Sequence, residues 1–412
     1  MTELLHIREP GPVSRPKPQW RAFLELGFRP LYLAGCLWAA MSIALWIFAP
    51  QWLRGTLNGM FWHAHEMLWA FVATIALGFL LTAGATWTGI NPMKGRALGI
   101  LTALWVAARI GFLIPGAWAF GIAAACELTV FAWAGFALSR AIFAAHNQRN
   151  YGVPLLVFGL GMADGLCLWA VTTGRYALLL QSLHVGVLCM AVLALLVARR
   201  VIPFFAMRAI SGLNIPMHTR SGHGQIAAAM FAIACLLLGW LPGAVTTLAA
   251  AGLISLWQVL TWRPWAVRRV PLLWILYAGY AGLGAGLLMA SAHLAGQVVN
   301  VAWPMHTIGL AGFSVLIIGM VTRTALGHLG QPLRTDALIV GCYGLVIAAA
   351  TLRLLALLPE TPVLGLLHAS AGIWMLGFGL YLWRFLPMMI RPRVDQPTST
   401  IQPVPLSVRV PR

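Results

Sequence analysis

Apolar residues in this chain come in long, uninterrupted runs, separated by short stretches holding Gly, Pro and basic residues. A run of about 20 residues, wound as a helix, crosses the ~30 Å hydrocarbon core of a bilayer. Polarity does not alternate within the runs, as the roughly 10-residue strands of an outer-membrane barrel require. Lipid leaves each backbone N–H and C=O to be paired inside its own segment, so such runs are helices. The pattern predicts twelve of them, roughly 30–49, 62–86, 97–114, 118–144, 151–172, 176–198, 225–241, 244–262, 272–294, 302–322, 336–357 and 363–387. Most connections are short and marked by Gly or Pro, as in Ile114-Pro115-Gly116 and Leu241-Pro242-Gly243. The longest, Arg199 to Gly224, is polar and contains Pro203 and Pro216. No internal repeat is evident. The expected fold is all-α: a polytopic membrane protein with about twelve transmembrane helices. They form a single domain over residues 28–390, flanked by a cytoplasmic N-terminal tail, 1–27, and a disordered, Pro/Ser/Thr-rich cytoplasmic tail, 391–412.

Composition closes off the other classes. Of 412 residues, 60% are hydrophobic and 9% charged, where a soluble domain has about 45–50% and about 25%. A soluble enzyme, a nucleic-acid-binding domain and a secreted disulfide scaffold are excluded. The formal charge of +18 is no sign of a nucleic-acid partner, because the basic residues recur in loops instead of forming a face. With the N-terminus placed in the cytoplasm, 23 of the 27 Lys and Arg fall in inner tails and loops. Only Arg54, Arg175 and Arg353 fall in outer loops, and Arg109 falls within a helix. This is the positive-inside asymmetry, and it puts both termini in the cytoplasm. Residues 1–27 lack the apolar core of a signal peptide. Cys36, Cys126, Cys167, Cys189, Cys235 and Cys342 all sit in apolar runs without CxxC spacing. They supply no ligands for iron–sulfur clusters, zinc ribbons or covalently attached haem. Walker and GxGxxG loops are absent, so nucleotide-driven transport by this chain alone is unsupported.

The topology makes the histidines informative. His6, His146, His218, His223 and His328 fall in cytoplasmic segments. His63, His65, His184, His293, His306 and His368 come from five helices and all lie toward the outer face, within about 12 Å of its boundary at ~1.5 Å rise per residue. A single intramembrane His is usually a hydrogen-bonded structural residue; six at one depth point to a metal or haem site. The sharpest motif is Trp62-His63-Ala64-His65-Glu66-Met67. His63 and His65 project to opposite sides of a helix, so they serve two centres, or a centre and a partner. Glu66, three residues from His63, is a candidate orienting carboxylate or proton donor. The plainer reading is a helical start with its acid favoured by the dipole. Glu127 and Asp164 lie deep, and each is protonated, paired with a cation such as Arg109, or part of a proton path. Arg323 and Arg199-Arg200 read as anchors of their helix ends.

The sequence resembles the NnrS family of bacterial twelve-span proteins. The resemblance rests on Gly27-Phe28-Arg29-Pro30, His63-Ala64-His65-Glu66-Met67, Gly78-Phe79-Leu80-Leu81-Thr82-Ala83 with Trp87-Thr88-Gly89, and Gly95-Arg96. It continues through Arg149-Asn150-Tyr151, Arg199 to Phe205, Thr322-Arg323 and Gly327-His328-Leu329-Gly330-Gln331-Pro332, covering most of the chain. It implies a haem- and copper-containing protein of the bacterial inner membrane, acting in denitrification and nitric oxide stress. The haem would be b-type, since no covalent attachment motif exists. Cofactor-binding residues expected on this basis are His63, His65, His184 and His306, with His293 and His368 as further metal ligands. Glu66 and Glu127 are the candidate catalytic carboxylates. The implied chemistry is reduction of nitric oxide to N2O, with electrons from quinol or another donor. The alternatives are a haem-based nitric oxide binder or sensor without turnover, and a twelve-span secondary transporter.

Overall fold

The computed structural model describes residues 17–394; the expectations for the outermost tails, 1–16 and 395–412, fall outside the described residues. After a single turn at Trp20–Phe23, twelve long helices follow. They are α1 (Phe28–Phe48), α2 (Gly59–Thr88), α3 (Arg96–Leu113), α4 (Ala117–Ala144), α5 (Gly152–Thr173) and α6 (Tyr176–Ala209). The second six are α7 (Thr219–Leu237), α8 (Leu241–Thr261), α9 (Pro271–Leu294), α10 (Ala302–His328), α11 (Ala337–Leu355) and α12 (Val363–Met389). No strand occurs among the described residues. The fold is all-α and polytopic.

Eleven of the twelve are long and apolar enough to cross a membrane; α7 is the exception. It starts six residues before the expected position, so its first two turns include Thr219, Arg220, Ser221, His223 and Gln225. The polar start is satisfied inside the bundle. Gln225, fully buried, donates to Ser255 Oγ at 2.7 Å and Tyr280 Oη at 3.1 Å, and Tyr280 donates to Gln258 Oε1 at 2.6 Å. Hydropathy undervalues a helix whose polar side faces other helices. The helix ends follow from local chemistry. Gly89 (φ 72°) and Gly174 (φ 65°) take the left-handed conformation that closes α2 and α5. Asp336 caps α11 by accepting from Ile339 N at 2.9 Å.

Most helices adjacent in sequence pack side by side; α2 and α3 are the exception, α2 packing on α4 instead, and α12 returns against α1 to close the bundle. Both ends of the described chain meet at one end of it: Gln19 N donates to Ile390 O at 2.9 Å, and Arg29 Nη1 donates to Met389 O at 2.9 Å. Among the eleven apolar spans, α2 and α6 are the most deeply enclosed. With α10 they line an apolar cavity in mid-bundle, bounded by residues such as Val72, Phe79, Leu193, Val197, Phe313 and Met320.

The structure also corrects the expectation that no repeat exists. A shift of 241 residues carries α1–α4 onto α9–α12 to within a few residues at most ends. It places a π-helical stretch, Glu66–Ala73 in α2, on another, Thr307–Ser314 in α10. Trp62, His65, Gly78 and Gly89 fall on Trp303, His306, Gly319 and Gly330. So few shared side chains lie below what reading the sequence detects; the shared backbone irregularity reveals the relation.

Candidate metal and proton site

Two groups of polar side chains converge near the start of α2, on opposite sides of that helix. The first gathers imidazoles. His63 lies flat against Trp46 of α1 (centroids 5.4 Å apart, planes 9°) and faces His306 of α10 (6.4 Å, 20°). Arg353 of α11 is close enough to act electrostatically on both. His184 of α6 and His293 of α9 lie within electrostatic range of each other, with no ring contact or hydrogen bond between them among the described residues. All four rings are half-buried. His306 Nδ1 donates to Ala302 O at 2.8 Å and His293 Nδ1 to Val298 O at 2.6 Å. A neutral imidazole fixed in this way leaves Nε2 as its lone-pair donor, the arrangement that orients metal-ligating histidines. His63 Nδ1 is buried without a hydrogen-bond partner.

The second group is ionic and sealed. His65 Nδ1 lies 3.0 Å from Glu66 Oε1, while its Nε2 lies 3.0 Å from Asp164 Oδ1 and 3.5 Å from Glu127 Oε2. Arg109 Nη1 contacts Glu66 Oε2 at 2.7 Å, and its Nη2 pairs with Glu127 Oε1. Trp38 Nε1 donates to Glu66 Oε2 at 2.5 Å. All five charged or titratable residues are at most 2% exposed. Four helices, α2 to α5, thus hold three carboxylates against one guanidinium and one imidazole, with Trp38 of α1 closing one side. Even with His65 protonated, one negative charge is left over, and at this depth it is costly unless a proton or a cation joins it. One ligand atom each from His65, Glu127 and Asp164 lie within 4.8 Å of one another, a spacing a cation can bridge.

The six histidines expected at one level therefore separate. Four lie toward the bundle end where α2 starts: His63 faces His306, and His184 and His293 are within electrostatic range of each other. His65 faces the carboxylates, with both ring nitrogens engaged. His368 leans on Phe48 (5.3 Å) near the surface, with Nδ1 bonded to Leu364 O at 2.7 Å. Glu66 and Glu127 sit together, joined through Arg109 and not through His63. Sequence reasoning placed Arg353 in a loop and assigned nothing to Trp38 or Trp46. Arg353 was detectable as a cation one helical turn inside an apolar run; the two tryptophans resemble any interfacial aromatic until α1 is docked.

No curated protein matches the chain. The family described as NnrS protein matches residues 22–393, nearly the whole length, and the chain belongs to that family of membrane proteins of the nitric oxide response.

Proposed function

We propose that this protein binds haem b and copper through His63, His306, His184 and His293, and uses them to reduce nitric oxide at the outer side of a bacterial inner membrane. The observation that carries the reading is the imidazole pairing, with Nε2 left available in His306 and His293 by main-chain bonds to Nδ1. Imidazole nitrogen suits both haem iron and copper. Bound there, the metals supply a place for nitric oxide to bind and a path for electrons from quinol or another donor.

Reduction of two nitric oxide molecules takes two electrons and two protons; an N–N bond forms, one N–O bond breaks, and the oxygen leaves as water. The chain's own residues meet two of these needs. Trp46 stacks on the His63 ring, while Arg353 adds positive charge within electrostatic range of it, favouring an anionic group or developing negative charge. The Glu66–His65–Asp164–Glu127 cluster holds the extra proton its charge balance calls for. Its members sit on the far side of the same α2 turn that carries His63, and α1 braces both sides through Trp46 and Trp38. A change at the imidazoles is thereby felt at the carboxylates through two shared helices.

The test is the optical spectrum and metal content of the purified protein, with N2O yield on adding nitric oxide and a reduced quinol. The wild type should show a Soret band and copper, His63→Ala and His306→Ala should lose metal or haem, and His368→Ala should resemble wild type. Colourless, metal-free wild-type protein would overturn the reading and favour transport. A full spectrum without N2O would make the protein a nitric oxide binder.

A further inference from the structure

Three basic residues cluster where α4, α5 and α6 meet, at the bundle end opposite the imidazoles, and none faces an acid. Arg149 lies in the α4–α5 connection; Arg199 and Arg200 lie in α6, and the three repel one another. Among the described residues the ion pairs involve only Glu66, Glu127, Asp164 and Asp336 as acids, and none pairs with these arginines. Arg149 and Arg200 line a pocket of about 320 Å³, together with Asn147, Asn150 and Trp87.

The hydrogen bonding inside this pocket consumes acceptors and leaves donors. Arg200 Nη1 donates to Asn150 Oδ1 at 2.9 Å and its Nη2 to Arg149 O at 3.2 Å. Asn150 Nδ2 donates to Asn147 Oδ1 at 3.1 Å, and Asn147 Nδ2 to Trp87 O at 2.9 Å. Both amide oxygens of the relay are thus taken. The exposed guanidinium of Arg149 donates no hydrogen bond among the described residues, and Arg200 is held in place with N–H groups to spare. The pocket also opens at the amino end of α5, where the helix dipole is positive.

Depth identifies the setting. Arg200 lies 24 residues into α6, roughly 36 Å from the helix start at ~1.5 Å per residue, which is just beyond a ~30 Å hydrocarbon core. The pocket is therefore level with lipid headgroups.

We infer that this pocket binds a phosphate-bearing anion, whose oxygens accept from Arg149 and Arg200. Basic pockets between helices at this level recognise anionic headgroups, and a guanidinium fork matches phosphate oxygens. The same chemistry suits the phosphodiester of an acidic lipid or free phosphate. The site rests on residues remote from the imidazoles and stands whether or not the protein acts on nitric oxide.

The test uses full-length protein, purified and stripped of lipid in a nonionic detergent, with melting followed by tryptophan fluorescence. Phosphatidylglycerol, phosphatidylcholine and inorganic phosphate are titrated separately. Phosphatidylglycerol should raise the midpoint by several degrees, and phosphatidylcholine should not. Equal stabilisation by inorganic phosphate would keep the site and make its ligand soluble. In R149Q/R200Q the binding should weaken about tenfold or more, the loss of one or two charge-assisted bonds. R149Q alone, which breaks no internal bond, should weaken it measurably even if the double variant folds poorly. A wild type indifferent to both anions, or an R149Q protein that responds like wild type, overturns the inference.

Discussion

Arg109 shows what one residue does at the centre of a membrane bundle. Its guanidinium lies between Glu66 and Glu127, with the faces of Trp105 and Phe112 about it (5.6 and 5.3 Å). Replacing it with Met removes one charge and strands two carboxylates, a change that costs about 3–5 kcal/mol when a buried pair is broken from one side. R109M should therefore melt well below wild type, and R109M/E66Q/E127Q, which removes the stranded charges too, should recover much of the difference. Equal midpoints for R109M and wild type in a thermal unfolding series would show that the cluster contributes no net stability. Pairing of Arg109 with one of the deep acids was readable from the sequence, since an intramembrane cation calls for a counter-charge. Its pairing with Glu66 was not, because Glu66 sits beside two histidines and reads first as their partner. The opposed faces of His63 and His65 follow from helix geometry alone. Which face meets carboxylates and which meets His306 depends on helices α4, α5 and α10, far away in sequence.

Between residue and bundle, α9 and α10 carry the most constrained contact. Gly282 and Gly286 of α9 let its backbone rest on the π-helical stretch of α10, and Gly279 meets Leu316 just beyond it; a Cβ on Gly282 would come within 2.1 Å of Ala311 O, and one on Gly286 within 2.5 Å of Ile308. The widened turn is stitched by Ser314 Oγ, which donates to Gly309 O five residues back at 2.7 Å. It follows directly on His306, as the equivalent stretch of α2 follows on His65. Such turns concentrate at functional sites because they re-aim the side chains around them. Gly282→Ala should push the two helices apart at a cost of about 1–3 kcal/mol or more, visible as a lower melting midpoint. Gly341→Ala in α11 has open space around its Cβ and should be neutral or stabilising by up to about 1 kcal/mol. A G282A midpoint equal to that of G341A would refute the close-contact account. Helix count and approximate ends were legible from runs of apolar residues. The π turns were not, since a one-residue widening leaves the hydropathy pattern almost unchanged. Neither was α7 in full, whose polar start looks like loop until Ser255, Gln258 and Tyr280 are brought to it.

At the scale of the whole molecule, the imidazole pairs fix the number of crossings. His63 opens α2 and His306 opens α10, and the two rings meet at one end of the bundle. The helices from α2 to α9 must then cross an even number of times, so α7 has to cross with the rest, despite its weak hydropathy. Meeting of the chain ends, Gln19 with Ile390, imposes the same parity on the twelve helices together. The basic residues, gathered in segments on the side of those ends, supply the direction to be tested: the positive-inside rule predicts that this side faces the cytoplasm. Exposed positions on three connections, α1–α2, α6–α7 and α9–α10, make this measurable. Gln51→Cys and Gln297→Cys, introduced singly into a cysteine-free background, should both react with a membrane-impermeant maleimide from the periplasmic side. Ser211→Cys, between α6 and α7, should react only after the membrane is permeabilised. If α7 did not cross, Gln297→Cys would be shielded while Gln51→Cys was labelled, and His63 and His306 would then lie on opposite sides of the bilayer. That one outcome would undo the paired imidazoles, the even crossing number and the site built on them.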